Sequence, residues 1–171
     1  AEQLTELINE KIVAFNEKLG YYPTTIVIDS ISKIFDDIYD SCNSKFTGFN
    51  IYSALDKQIH HFMDYIQSTL IGSDINVIMI SHAVYDADTT NYNLVGKGSF
   101  SKRGGALAEV DQAVFIETKA NKRIVHHRST KFPARTTLES LPDNESIESY
   151  NLANHMELLS KLHDDVVEFE F

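Results

Sequence analysis

Hydrophobic positions along the chain change period several times, and each change marks an element. Leu4, Leu7, Ile8, Ile12, Phe15 and Leu19 recur at helical spacing, and Gly20 followed by Pro23 stops the run, so a helix is expected to end there. "TTIVID", residues 24 to 29, is apolar without alternation, the pattern of a strand covered on both faces. Helical spacing returns over 31–41 through Ile31, Ile34, Phe35 and Ile38. Beyond the loop-like "SCNSKFTGFN", a longer helix keeps Ile51, Leu55, Ile59, Phe62, Met63, Ile66 and Leu70 on one face for about five turns. "GSD" breaks it, and "INVIMIS" is a second continuously apolar strand.

A polar stretch follows, 85–105, long enough to read as functional or disordered. "DQAVFIET" and "KRIVHHRST" then read as strands around the turn-like "KANK", with "RTTLESL" a candidate third, and residues 146–163 look helical. The sum predicts one α/β domain over residues 1–171. Its central sheet is expected to be mostly parallel and flanked by helices, with an antiparallel extension near the C-terminus.

Composition narrows the class. The chain has 171 residues, 43% of them hydrophobic, which is enough for a proper core. No run approaches the roughly 20 apolar residues of a bilayer crossing, and the acidic, helical N-terminus is not a secretory signal. A single cysteine, Cys42, leaves no internal disulfide framework. These features predict a soluble cytoplasmic protein with no membrane partner.

The formal charge of −10 argues against a nucleic-acid partner until its distribution is considered. Residues 97–135 hold nine Lys or Arg against three acids. Either one surface faces an anion, or solvated strands and loops have collected cations.

Both apolar strands end in hydrophilic residues: Asp29 and Ser30 after the first, Ser81 and His82 after the second. In open α/β sheets ligands sit at the carboxyl ends of strands, so these four residues stand where a site would be. Asp29 is similar in this placement to the aspartate that holds the Mg²⁺ water shell in P-loop nucleoside triphosphatases, where a hard cation wants oxygen ligands, and Ser30 directly after it would share that shell. The plainer reading of Asp29 is a helix N-cap, since a helix follows at once.

Taken in order, "TTIVIDSIS", two helices, "INVIMISHA", a polar and basic loop and "EVDQAVFIE" resemble the core of RecA-type ATPases. Within these the chain is most similar to phage AAA-family ATPases related to single-strand annealing recombinases. The resemblance implies a RecA-like fold over roughly residues 5–142, with "IVIDS" as the Walker B strand and Asp29 as the magnesium residue. It implies that His82 senses the γ-phosphate of ATP, that Ser30 and Ser81 lie against the Mg²⁺-nucleotide, and that the loop 85–105 contacts single-stranded DNA. Lys131 and Arg135 would reach a neighbour's nucleotide across a subunit boundary in a ring or filament.

Two elements of that family are not found in this sequence. The Walker A pattern G-x-x-x-x-G-K-[ST] is absent from the 28 residues before Asp29. "GKGS" at 96–99 fails it, because Asn91 stands where the first glycine belongs and Gly98 where Ser or Thr does. A glutamate after the Walker B aspartate is replaced by Ser30. The expectation is therefore the C-terminal part of a longer phage-type recombination ATPase, unable to hydrolyse ATP alone. The competing expectation is a P-loop-less module kept for single-stranded DNA binding or assembly.

"GKGSFSKRGG" offers Lys97, Lys102 and Arg103 for phosphates and Phe100 for base stacking. The plain alternative is a surface loop with incidental charge. Neither His60–His61 on a helix nor His126–His127 on a strand can share a metal, so a zinc site is rejected. A Ser81–His82–Asp29 hydrolase triad lacks its G-x-S-x-G elbow. The acidic, aromatic tail "DDVVEFEF" reads as a frayed end or a partner-recruiting segment.

Overall fold

The computed structural model describes residues 1–102 and 104–164, apart from the side chains of 101, 102 and 162–164. Arg103 and all but the first residue of "DDVVEFEF" lie outside the described residues. The protein is a mixed α/β chain that divides into two compact units. Unit 1 comprises residues 1–84 and 94–109, and unit 2 comprises 85–93 together with the chain from Val110 onward.

Unit 1 begins with helix α1 (Glu2–Leu19), which ends as the sequence anticipates: Gly20 is left-handed at φ 80° and its N–H donates to the Asn16 carbonyl at 2.7 Å. Strand β1 (Thr25–Asp29) follows, then α2 (Ile31–Lys45) and α3 (Phe49–Tyr65). A π-helical turn (Ile66–Leu70) and a 3₁₀ turn (Ile71–Ser73) prolong α3 before strand β2 (Asn76–Ile80). β1 and β2 are parallel and in register from Thr25↔Asn76 to Asp29↔Ile80. The apolar face of α3 is where its spacing puts it: Leu55, Ile59, Phe62, Met63, Ile66 and Leu70 are buried against Ile28, Ile31, Phe35 and Ile38. Cys42 is a free thiol in the same core.

The parallel sheet has two strands, not the larger central sheet expected. One face (Ile26, Ile28, Val77, Met79) lies on the helical core. On the other, Val27 is 57% and Ile80 44% exposed.

The stretch 85–105 is not one loop. Strands β3 (Ala83–Asp86) and β4 (Asn91–Leu94) pair with each other, and the Asp86 carboxylate closes their turn by accepting from the Asp88 N–H at 3.0 Å and the Thr89 hydroxyl at 2.9 Å. These bonds hold the Asp86 carboxyl below the usual range. The short helix α4 (Gly98–Lys102) and a 3₁₀ turn (Gly105–Glu109) complete unit 1.

Unit 2 is built on a second sheet, β5 (Phe115–Lys119), β6 (Lys122–His126) and β7 (Asn144–Ser146), antiparallel throughout and separate from β1–β2. "RTTLESL" does not form its third strand. Arg135 pairs with Ala113 in an isolated bridge outside the strands, and local bonds from the Leu138 N–H to Thr136 Oγ1 and from the Leu141 N–H to the Leu138 carbonyl turn the backbone away from extended geometry. Helix α5 (Leu152–Asp164) starts later than its periodicity suggests, because Ser146 accepts the Ser149 and Tyr150 N–H groups in a turn first. Among the described residues no helix is long and apolar enough to cross a membrane.

Candidate functional site at the carboxyl edge of the parallel pair

The register of β1 with β2 sets Asp29 opposite Ile80, so the segments that leave the two strands start side by side. Ser30 caps α2, its hydroxyl accepting the Lys33 N–H at 3.3 Å. The helix cap is thus Ser30 rather than Asp29. The Asp29 carboxylate, exposed at the strand end, enters no hydrogen bond or ion pair among the described residues.

Ser32, the second residue of α2 and buried, joins the two strand ends. Its hydroxyl lies 3.1 Å from Ser81 Oγ and accepts the His82 N–H at 2.9 Å. Sequence reasoning passed over Ser32, although a hydroxyl among the apolar positions that open α2 is a signal that could have found it. The Ser81 hydroxyl also donates to the His82 carbonyl at 3.2 Å, which takes the Val95 N–H at 3.0 Å. The backbone of His82 is therefore fixed on both sides while its imidazole is exposed.

What this edge can do follows from its groups. It offers one carboxylate, several hydroxyls and an exposed imidazole. Among the described residues no group of three or more His, Cys, Asp or Glu could hold a metal alone. A Mg²⁺ ion that keeps most of its water and takes the phosphates of a bound nucleotide needs one or two carboxylates from protein, and at this edge Asp29 would be the one to supply it.

The other sequence candidates lie elsewhere. Lys97 pairs with Asp36 at 3.0 Å and sits 5.3 Å from the Tyr39 ring centre, while Gly98, left-handed at φ 64°, brings "GKGS" against α3. There the Asp56 carboxylate accepts from both the N–H and the hydroxyl of Ser99, so a carboxylate of the chain itself occupies this glycine-rich turn. Phe100 is 3% exposed and packs edge-on against Phe35, ring centres 5.6 Å apart. Its ring belongs to the core and does not face a base. The side chains of Lys102 and Arg103 lie outside the described residues.

Lys131 and Arg135 belong to unit 2, both exposed, at the two ends of the buried Phe132-Pro133-Ala134. His126 lies 3.0 Å from a Glu117 carboxylate oxygen, and His127, fully buried, lies 2.9 Å from one of Glu145.

Comparison with known proteins adds no neighbour: no family model, no curated protein and no solved structure matches the chain.

Proposed function

We propose that unit 1 is the magnesium-facing half of a RecA-like ATP-binding domain, within a phage-type protein that couples ATP hydrolysis to single-stranded DNA binding in the host cytoplasm. The observation that carries this reading is the in-register parallel pair, which delivers Asp29, Ser30, Ser81 and His82 to one edge with Ser32 tying the strand ends together. In this reading Asp29 holds the Mg²⁺ water shell, Ser30 and Ser81 lie beside it, and the His82 imidazole meets the terminal phosphate. Lys131 and Arg135 would act on a neighbouring subunit's nucleotide, stabilising charge on its phosphoryl oxygens. The phosphate cradle itself would come from a P-loop upstream of residue 1.

Two measurements test this. The reading frame upstream should encode G-x-x-x-x-G-K-[ST] within about a hundred residues. In the protein carrying that segment, Asp29→Asn should abolish Mg²⁺-dependent ATP binding seen by calorimetry. Unchanged magnesium dependence in Asp29→Asn, or an upstream frame without the motif, would refute it. A second reading, a non-catalytic scaffold that assembles with copies of itself, is favoured by the uncovered apolar face bearing Val27 and Ile80. Sedimentation of Val27→Lys against wild type tests that one, with a shift to monomer expected.

A further inference from the structure

Of the described side chains of α5, that of His155 alone is buried, while Met156, Leu158 and Leu159 are half-buried and the others exposed. Among the described residues, the polar bonds from α5 to the rest of unit 2 reduce to one, in which His155 Nδ1 lies 3.3 Å from the Tyr150 hydroxyl. The Asn151 side chain accepts the Asn154 N–H at the start of the helix, the Ser160 hydroxyl donates to the Glu157 carbonyl, and Lys161 pairs with Glu157. These bonds serve the helix itself. What anchors α5 is therefore an imidazole.

That imidazole enters a cluster of ionisable groups. Its ring centre lies 5.5 Å from that of His127, fully buried just past β6, and 5.9 Å from that of Tyr150 in edge geometry. His127 Nε2 is 2.9 Å from Glu145 Oε1 on β7, so this nitrogen carries the hydrogen that an ionised carboxylate accepts. The two other nitrogens, His127 Nδ1 and His155 Nε2, are buried with no partner among the described residues. Arg128 turns away to the Leu138 and Leu141 carbonyls, with the Asp143 carboxylate 3.6 Å from it. The carboxylate of the cluster is Glu145, and His127 already uses it. Burial, with His127 second, holds the His155 imidazole below its ordinary pKa, Glu145 acting the other way, and burial followed by Glu145 raises the Tyr150 phenol.

We infer that α5 is held by a pH-sensitive latch: on acidification the His127–His155 pair takes up a proton and releases the helix, while the sheet β5–β6–β7 stays folded. A proton on either unpartnered nitrogen places an N–H where no described group accepts it, and a positive charge in a buried site beside a second imidazole. In the released helix the His155 imidazole meets water and takes its proton near the ordinary value of 6.5. The docked form thus binds fewer protons than the released form. Docking is complete above that value and is lost as pH falls toward the lower docked value. The sheet keeps its own ladder, from Phe115↔His126 to Lys119↔Lys122 and from Ile124↔Ser146 to His126↔Asn144, which includes no residue of α5. The latch is independent of the reading given to unit 1.

The test is amide hydrogen exchange on the whole chain at roughly pH 7.5 and roughly pH 5.5, corrected for the intrinsic pH dependence of exchange. Protection of the α5 amides should fall about tenfold at the lower pH, one unit below the free imidazole value, while β5 and β6 amides keep theirs. His155→Leu cannot be charged at this position and should hold α5 equally protected at both pH values. His127→Gln keeps an N–H for Glu145 and removes the second imidazole, so its α5 protection should fall less than that of wild type, and it serves where His155→Leu fails to dock the helix. Equal α5 protection at both pH values in wild type would overturn the inference, as would sheet amides lost in step with α5. So would a wild-type fall in His155→Leu or an undiminished one in His127→Gln.

Discussion

Replacing Phe100 by alanine separates a core ring from a base-stacking ring. Phe100 is 3% exposed, lies edge-on to Phe35 at 5.6 Å and to His60 at 5.7 Å, and belongs to the cluster formed by α2 and α3. Truncating a buried Phe removes its transfer free energy and leaves a cavity, together costing about 3–5 kcal/mol. Against a total stability of roughly 5–15 kcal/mol this is a large fraction. With a urea slope of about 2 kcal/mol/M it moves the midpoint by roughly 1.5–2.5 M, and by melting it corresponds to roughly 6–20 °C. Circular dichroism across a urea series reads the shift. Phe100→Leu, which keeps most of the apolar volume, should cost about 1–2 kcal/mol and serves where the alanine variant is unfolded. A Phe100→Ala protein with a wild-type midpoint and lost oligo(dT) binding would refute the reasoning, because a ring that serves DNA and not the core gives that result.

Three further outcomes follow from particular contacts. Gly98→Ala should destabilise by about 1–3 kcal/mol by urea denaturation, since a Cβ at φ 64° is strained and would lie 2.8 Å from Asp56 Oδ1; an unchanged midpoint would contradict that geometry. Ser32→Ala removes the acceptor of the buried His82 N–H and should cost about 1–2 kcal/mol while speeding amide exchange at His82; unaltered exchange there would mean another group takes that bond. Burial, with the neighbouring His127 second, pushes the His155 imidazole below its ordinary pKa, so the folded state binds fewer protons than the unfolded chain. Its contribution is complete above the unfolded value near 6.5 and is lost as pH falls from there toward the lower folded value. Unit 2 should therefore weaken on acidification in that window, His155→Phe should flatten the dependence, and an identical pH profile in that variant would sink the claim.

Elements that depend on local period were legible in the sequence. The α3 face from Leu55 to Leu70, the stop at Gly20 and both apolar strands need only 3.6-residue or continuous apolar patterning, and each forms where that patterning puts it. The strands are not covered on both faces as their patterning predicts, since Val27 is 57% and Ile80 44% exposed. Elements that depend on tertiary partners were not. "RTTLESL" has β-branched residues and yet turns, because Thr136 and Leu138 satisfy its backbone locally. The polar run 85–105 hides a strand pair whose turn is closed by the Asp86 side chain, a device that its Asp- and Thr-rich composition also fits as plain loop.

The candidate site divides the same way. That Asp29 and Ser81 end neighbouring strands could be read from two apolar runs, whereas the hydroxyl that links them, Ser32, sits among helix-spaced residues and carries no strand-end signature. Charge was the least legible of all. The sequence counts Lys97 and Lys131 alike as members of one basic stretch, but a count of charges does not say which are already paired. Lys97 is paired with Asp36, from a distant part of the chain, and the turn around it is filled by the Asp56 carboxylate. An incoming phosphate at that turn must displace two carboxylates, whereas one over Lys131 meets an ammonium resting on an aromatic ring. An exposed ion pair returns little when broken, so Lys97 is not forbidden to DNA by energy. It is disfavoured by geometry, because its partner fixes it against α2 beside acids that repel a polyanion. Lys97→Ala should therefore leave the oligo(dT) salt slope unchanged while Lys131→Ala lowers it, and equal slopes in the two variants would mean that net charge, not its placement, governs binding.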